Sequence, residues 1–223
     1  MKMMKTLLAA AVVAASVPAM AATYQAGDIM VKAGAITVQP TNDAVDILAS
    51  GNIDAASVSL EVSNNTQLGV TATYMFHSNW GVEVLAATPF THNVRASAAT
   101  DQVNVAPTGT KIAEVEHLPP TVSIQYYPLG DEASVVQPYI GAGINYTTFL
   151  DVKDSANLGT KDLKDSWGLA YSAGVNVHLN DNWMANVAVW KIDIDTKIEG
   201  GTANGAAVTI DPTVFLVGVG YKF

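Results

Sequence analysis

From about residue 27 to the end of the chain, apolar residues recur at every second position, the period of a β-strand rather than of a helix. The C-terminus is the clearest case. Phe215, Val217, Val219, Tyr221 and Phe223 share one face, and Leu216, Gly218, Gly220 and Lys222 share the other. Leu68, Val70, Ala72, Tyr74 and Phe76 alternate in the same way with Gly69, Thr71, Thr73, Met75 and His77. So do Leu169, Tyr171, Ala173, Val175 and Val177 with Gly168, Ala170, Ser172, Gly174, Asn176 and His178. The pattern predicts strands over 27–38, 67–77, 81–93, 115–128, 136–150, 166–178, 183–196 and 209–223.

The connections alternate as well. Residues 78–80, 129–132 and 180–182 are short and rich in turn formers. Long, acidic, Gly- or Ala-rich stretches run over 39–66, 94–114, 151–165 and 197–208. An even number of strands, each long enough to cross a bilayer when tilted, with short turns on one side and long loops on the other, describes an outer-membrane barrel. The expected fold class is therefore all-β: an eight-stranded antiparallel transmembrane β-barrel with long extracellular loops and short periplasmic turns. Two bands of rings fit this plan. Tyr74, Phe76, Trp80, Tyr126, Tyr127, Trp183, Tyr221 and Phe223 fall near the short turns, and Phe90, Tyr146, Phe149, Trp167 and Phe215 near the long loops. A chain ending on an aromatic of an amphipathic strand also resembles the sorting signal of such barrels.

The N-terminus reads differently. Lys2 and Lys5 precede an apolar run, and Ala19 and Ala21 flank Met20 as an A-x-A cleavage site. A signal peptide over residues 1–21 and a barrel over 22–223 are expected. Cleavage would take Lys2 and Lys5 from the eleven basic residues, leaving nine against twenty acidic ones. Arg95 is the one arginine in the sequence. Without a basic footprint, no nucleic-acid partner is expected. With no cysteine in its 223 residues, disulfide scaffolds and thiol nucleophiles are excluded.

Several segments, in order along the chain, resemble the outer membrane protein W (OmpW) family. They include Asn64–Gly69, Glu83–Phe90, His117–Thr121, Pro138–Phe149, Asp165–Gly168 and Val189–Thr196. The resemblance implies an eight-stranded bacterial outer-membrane barrel with a hydrophobic lumen, associated with uptake of small hydrophobic molecules. Some members serve as colicin receptors; loop-borne receptor roles do not carry over where the loops diverge, and a colicin or phage enters only as the partner of the alternative, surface-interaction reading. The long loops are where this sequence diverges most.

Strand parity assigns the lumen face. Eight strands enclose space for packed side chains or one small ligand, which excludes a wide aqueous pore. Near the short turns the inward set contains Asp28, Lys32, Glu83, Gln125, Asn176, Asn186 and Lys222, and Asp28, Lys32, Glu83 and Lys222 are expected to pair into a polar periplasmic floor. Higher up it contains Ile36, Leu85, Trp190 and Leu216, and Leu85 and Trp190 are expected to form the constriction. A packed, water-free interior and a path for an apolar ligand both account for such residues. Pro89 in the third strand and Pro119 and Pro120 in the fourth lack the N–H that a ladder needs, so the seam between these strands should be weak. A solute stopped by a charged floor would leave there, sideways into the membrane.

No catalytic constellation, cofactor or metal site is expected. His92 and His117 fall on adjacent strands and read as a solvated rim pair, and Asp193 and Asp195 as a solvated rim. The function expected is a narrow conduit for small hydrophobic solutes. The alternative is a surface-interaction barrel with a plugged lumen. Lipid and lipopolysaccharide surround either one. A closed barrel has no edge for a second copy to cover, so a monomer is expected.

Overall fold

A computed structural model describes residues 20–41, 60–96, 107–156, 159–201 and 204–223. Most of the expected signal peptide, and the tips of the long loops, lie outside these residues. Fourteen strands are present, in chain order: β1 (Ile29–Gln39), β2 (Leu60–Val62), β3 (Asn65–His77), β4 (Trp80–Ala87), β5 (Phe90–Ala96), β6 (Lys111–Leu118), β7 (Thr121–Tyr126), β8 (Val136–Asp154), β9 (Asp162–Leu163), β10 (Ser166–His178), β11 (Trp183–Ile192), β12 (Asp195–Glu199), β13 (Ala207–Thr209) and β14 (Thr213–Lys222).

Eight of them close a cylinder. Neighbours run β1–β3–β4–β7–β8–β10–β11–β14, and β14 pairs with β1 along ten residues from Met30↔Lys222 to Gln39↔Thr213. Every pairing is antiparallel, and β8–β10 completes the ring from Ser166↔Thr147 to Val177↔Val136. No helix among the described residues is long and apolar enough to cross a membrane.

Alternation sets the two faces. On β10, Trp167, Leu169, Tyr171 and Ala173 point outward, while Ser166, Ala170, Ser172, Asn176 and His178 are buried inside. From Trp167 to Val177 the outward row covers ten residue steps. At a rise of about 3.4 Å and a tilt of about 40° this spans roughly 26 Å, close to the usual apolar band. Cross-strand ring pairs mark its edges. Trp80–Tyr126 (4.7 Å between centroids) and Trp183–Tyr221 (5.1 Å) lie beside the short turns, and Tyr146–Trp167 (4.7 Å) lies at the opposite end.

Inside, close approach replaces side-chain volume at one level. Gly34, Gly69 and Gly218 fall in register on three neighbouring strands. A Cβ on Gly34 would lie 2.2 Å from the Val217 carbonyl oxygen, and one on Gly218 2.2 Å from that of Ala33. Only glycine permits the backbones to coil this tightly there.

Three expectations about the outline change. The third, fourth, seventh and eighth predicted strands are each divided: at Thr88–Pro89, Pro119–Pro120, Asp193–Ile194 and Ile210–Pro212. Proline accounts for three of the breaks, and Asp211 takes a positive φ of 34° at the last. The long connections are also not wholly irregular. β5 and β6 form a hairpin that reaches Ala96 and Lys111, β2 adds to β5, and β9 and β13 flank β12. These strands raise a second tier above the outer ring belt. Finally, Tyr127, Phe90 and Phe149 are not interface rings, since all three are buried in the interior.

Candidate functional site

The lumen has a polar lower part. The Lys32 ammonium lies 2.6 Å from Glu83 Oε2, and both side chains are buried. Thr73 donates to the same carboxylate oxygen at 3.0 Å, and Gln125 Nε2 donates to its other oxygen at 2.6 Å. Tyr127 donates to Gln125 Oε1 at 2.6 Å, and Lys32 Nζ lies 4.9 Å from the Tyr139 ring centroid. A buried ion pair is tolerated when its remaining donors and acceptors are met in this way. Five strands, β1, β3, β4, β7 and β8, supply these groups or lead into them, so the network ties the wall together across the lumen.

The chain itself adds a cork. Ala22 bridges to Ser134, and the Tyr24 N–H donates to Gly130 O at 2.7 Å. The Tyr24 ring packs edge-on against Tyr127, 5.2 Å between centroids. Its hydroxyl accepts from Asn176 Nδ2 at 3.0 Å and lies 3.1 Å from His178 Nε2. At the mouth, Lys222 Nζ lies 3.7 Å from Asp28 and donates to Thr23 O at 2.9 Å. Parity predicts Lys32, Glu83, Asp28 and Lys222 on this face. It does not predict Tyr24, which no alternating strand carries.

Above the polar layer large apolar side chains enter the interior, beside a buried Thr121–Asn145–Thr147 hydrogen-bonded row. Ile36, Leu85, Trp190 and Leu216 are all buried and belong to one apolar cluster. Leu85 lies on β4 and Trp190 on β11, separated around the ring by β3, β1 and β14. Ile36 and Leu216 are direct cross-strand partners beside Gly69.

Within the second tier, this cluster opens into a cavity of about 140 Å³. Val62, Val94, Val115, Phe149, Ile198 and Ile210 supply most of its wall. Two imidazoles interrupt the carbon surface, His92 and His117. They are not a solvated rim pair. The rings stack 5.1 Å apart between Phe90 and Phe149, and they are only 3% and 5% exposed. Both lie above the outer ring belt. Burial, reinforced by His92, pushes His117 down to about 3, and burial lowers His92 as well. Both rings are therefore neutral at neutral pH.

The ladder is interrupted where the prolines lie. Between the third and fourth predicted strands, the ladder runs up to Leu85↔Thr121 and resumes at Phe90↔His117. Residues 86–89 and 118–120 have no paired partner across that seam. The carbonyls of Pro119 and Pro120 turn instead toward Asn145, whose Nδ2 donates to them at 3.0 and 3.1 Å. The opposite side of Pro89 is also frayed, which the sequence does not suggest. There, backbone pairing with β3 stops at Thr88 N–H donating to Leu68 O. Side chains bridge above it, with Asn65 Nδ2 donating to Thr91 O at 2.8 Å and Thr88 Oγ1 to Gln67 Oε1 at 3.0 Å.

Comparison with known proteins agrees with this architecture. The profile of the OmpW family matches residues 25–223. Outer membrane protein W of Escherichia coli K12 is 43% identical, over 99% of this chain and all of that protein. The crystal structure of the outer membrane protein OprG from Pseudomonas aeruginosa superposes with a TM-score of 0.77. It is 41% identical, covering 90% of this chain and 98% of that one. Outer membrane protein AlkL of Ectopseudomonas oleovorans is 26% identical over 92% of this chain and 86% of its own. An AlkL structure solved in lipid bilayers superposes with a TM-score of 0.69, at 25% identity and covering 92% and 94% of the two chains.

Proposed function

Since this chain belongs to the OmpW family of bacterial outer-membrane barrels, we propose that it is a narrow conduit that takes small hydrophobic molecules across the outer leaflet. The observation that carries this reading is the cavity of about 140 Å³ walled by Val, Ile, Leu and Phe. Soluble proteins bury such residues to exclude water, and barrel lumens are usually polar. An apolar solute gains roughly 25 cal/mol for each Å² it removes from water, so a greasy recess above the membrane collects it.

The solute moves inward from the cavity toward Leu85 and Trp190, which act as the constriction. It does not continue to the periplasm. Lys32, Glu83, Asp28 and Lys222, with Tyr24, close the floor, and moving an apolar molecule through that network would strand buried charges. It leaves laterally, through the seam at Pro89, Pro119 and Pro120, into the hydrocarbon of the membrane. The lack of pairing across the seam at residues 86–89 and 118–120 supports this exit, because few ladder bonds between those two strands must break to widen it. The signal peptide over residues 1–21 is removed on export, and in the alternative, surface-interaction reading the second tier is where a colicin or phage would dock.

The test is uptake of a hydrophobic fluorophore, N-phenyl-1-naphthylamine, into vesicles carrying the purified barrel. Since the sequence has no cysteine, cysteines at Thr88 and Leu118 can be joined selectively by a short bis-thiol cross-linker. The lateral route predicts that the cross-link abolishes protein-dependent uptake and that cleaving the linker restores it. Uptake that persists through the cross-link contradicts that route. Absence of uptake for the unmodified barrel leaves the surface-interaction reading.

A further inference from the structure

The His92–His117 pair sets a chemical demand that a purely apolar solute does not meet. Both imidazoles line the cavity, and His92 Nε2 and His117 Nδ1 are buried with no hydrogen-bond partner among the described residues. A buried polar group left in this state has lost its hydration without a replacement bond, which is unfavourable. Most buried side-chain polar atoms in folded proteins avoid that cost, so two adjacent exceptions on the wall of one recess call for an explanation.

The neighbours fix what is missing. His92 Nδ1 lies 2.5 Å from the Ser63 carbonyl oxygen, which can only accept. Nδ1 therefore carries the proton, and Nε2 of the neutral ring is a bare acceptor. His117 is held only by stacking among the described residues, on Phe90, His92 and Phe149. Its χ2 torsion is of the broad kind, so the ring is free to reorient toward the cavity that it lines. With its tautomer free, that nitrogen can donate. One acceptor beside one donor is matched by a group that gives one hydrogen bond and takes one.

We infer that the cavity selects small apolar molecules bearing a hydroxyl, alcohols or phenols, with the O–H donating to His92 Nε2 and the oxygen accepting from His117 Nδ1. The apolar body lies against Val62, Val115 and Phe149. Carboxylates are disfavoured. No lysine or arginine lines the recess among the described residues, and the charged residue that does, Asp154, is an acid. A plain hydrocarbon fits the same space but leaves both nitrogens unpaired. Sites built around buried hydrogen-bonding groups discriminate strongly against analogues that lack the partner.

This inference rests on the conduit reading and sharpens its substrate class. The test compares 2-naphthol, naphthalene and 2-naphthoate binding to the full barrel in lipid nanodiscs, corrected for partition into protein-free discs. The expected order is naphthol tighter than naphthalene by about tenfold, the equivalent of one net hydrogen bond of about 1.4 kcal/mol, and naphthoate weakest. His92→Phe and His117→Phe keep a ring in the stack. Each should bring the naphthol-to-naphthalene ratio close to one. Nitrogen-15 spectra should show His92 Nε2 gaining a hydrogen bond with naphthol and not with naphthalene. Naphthalene binding with no hydroxyl preference, or a preference that both substitutions leave intact, overturns the inference and spares the conduit. Failure of all three compounds to bind overturns both.

Discussion

The two ends of this lumen are built from opposite materials on the same strands. β8 contributes Gln137 and Tyr139 to the polar floor and Phe149 and Val152 to the apolar cavity, fewer than twenty residues apart. The floor is stabilised mainly by directed bonds between buried side chains, from Lys32 on Glu83 to Asn186 on Tyr139, although Gln137 Oε1 and His178 Nδ1 have no partner among the described residues. The cavity end is walled mostly by apolar contact, and its two imidazoles each keep one nitrogen without a partner among the described residues. The lesson is that closing a barrel and leaving it receptive need different chemistry. A hydrogen-bonded network has one low-energy arrangement and resists intrusion. A carbon wall has no preferred partner and accepts any apolar shape that fits.

Breaking the floor should have the largest effect. Lys32→Met leaves the Glu83 carboxylate buried without its cation, a loss of about 3–5 kcal/mol. Urea titration of the barrel in lipid vesicles would measure it. The double variant Lys32→Met with Glu83→Leu should recover most of that loss, because it buries no charge at all. A double variant as unstable as the single one would show that the floor matters for something other than pairing.

The glycine level comes next. Gly34→Ala places a methyl group 2.2 Å from the Val217 carbonyl oxygen, and overpacking of this kind costs about 1–3 kcal/mol. The folded barrel should appear with a lower urea midpoint. The cavity end should tolerate change better. Val94→Ala on its wall should reduce stability by roughly 1 kcal/mol or less, since the residue already borders open space.

Acidification should separate the ends in another way. His117 is held near 3 in the folded chain and returns to its ordinary 6.5 on unfolding. The unfolded state therefore binds the proton first. The stability His117 contributes is complete above about pH 6.5 and falls progressively toward pH 3. Hydrogen exchange of β5 and β6 should quicken over that window, and His117→Phe should flatten the dependence. The smallest effect is expected at Glu114, which Lys111 and Lys153 hold down to about 2 from a partly exposed position. Glu114→Gln should leave the urea midpoint unchanged, because solvent screens such pairs.

Much of this architecture can be read from alternation. The span 166–178 is β10 itself, and parity alone places Lys32, Glu83, Leu85, Trp190 and Leu216 inside. Parity would also have placed Tyr127 and Phe149 inside, because each is an even number of residues from an inward neighbour, Gln125 and Tyr139. Position near a strand end drew them to the interface bands instead. Phe90 is a different case. The inward residues of β4, Glu83 and Leu85, are odd-numbered, whereas those of β5, Phe90 and His92, are even-numbered. The phase shifts at Pro89, and a period counted through a proline carries no record of that shift. The burial of His92 follows from the same slip. Tyr24 lies outside any repeating pattern, and its place in the floor is set by tertiary contacts from Gly130, Asn176 and His178.

The central claim is that the apolar end receives solutes and the lumen passes them inward. The most direct test is uptake of N-phenyl-1-naphthylamine into barrel-bearing vesicles, with the native chain beside Leu85→Asp and Trp190→Asp. The account predicts protein-dependent uptake that each aspartate reduces at least tenfold, while the barrel remains folded by its heat-modifiable migration on gels. Uptake equal in all three would contradict it.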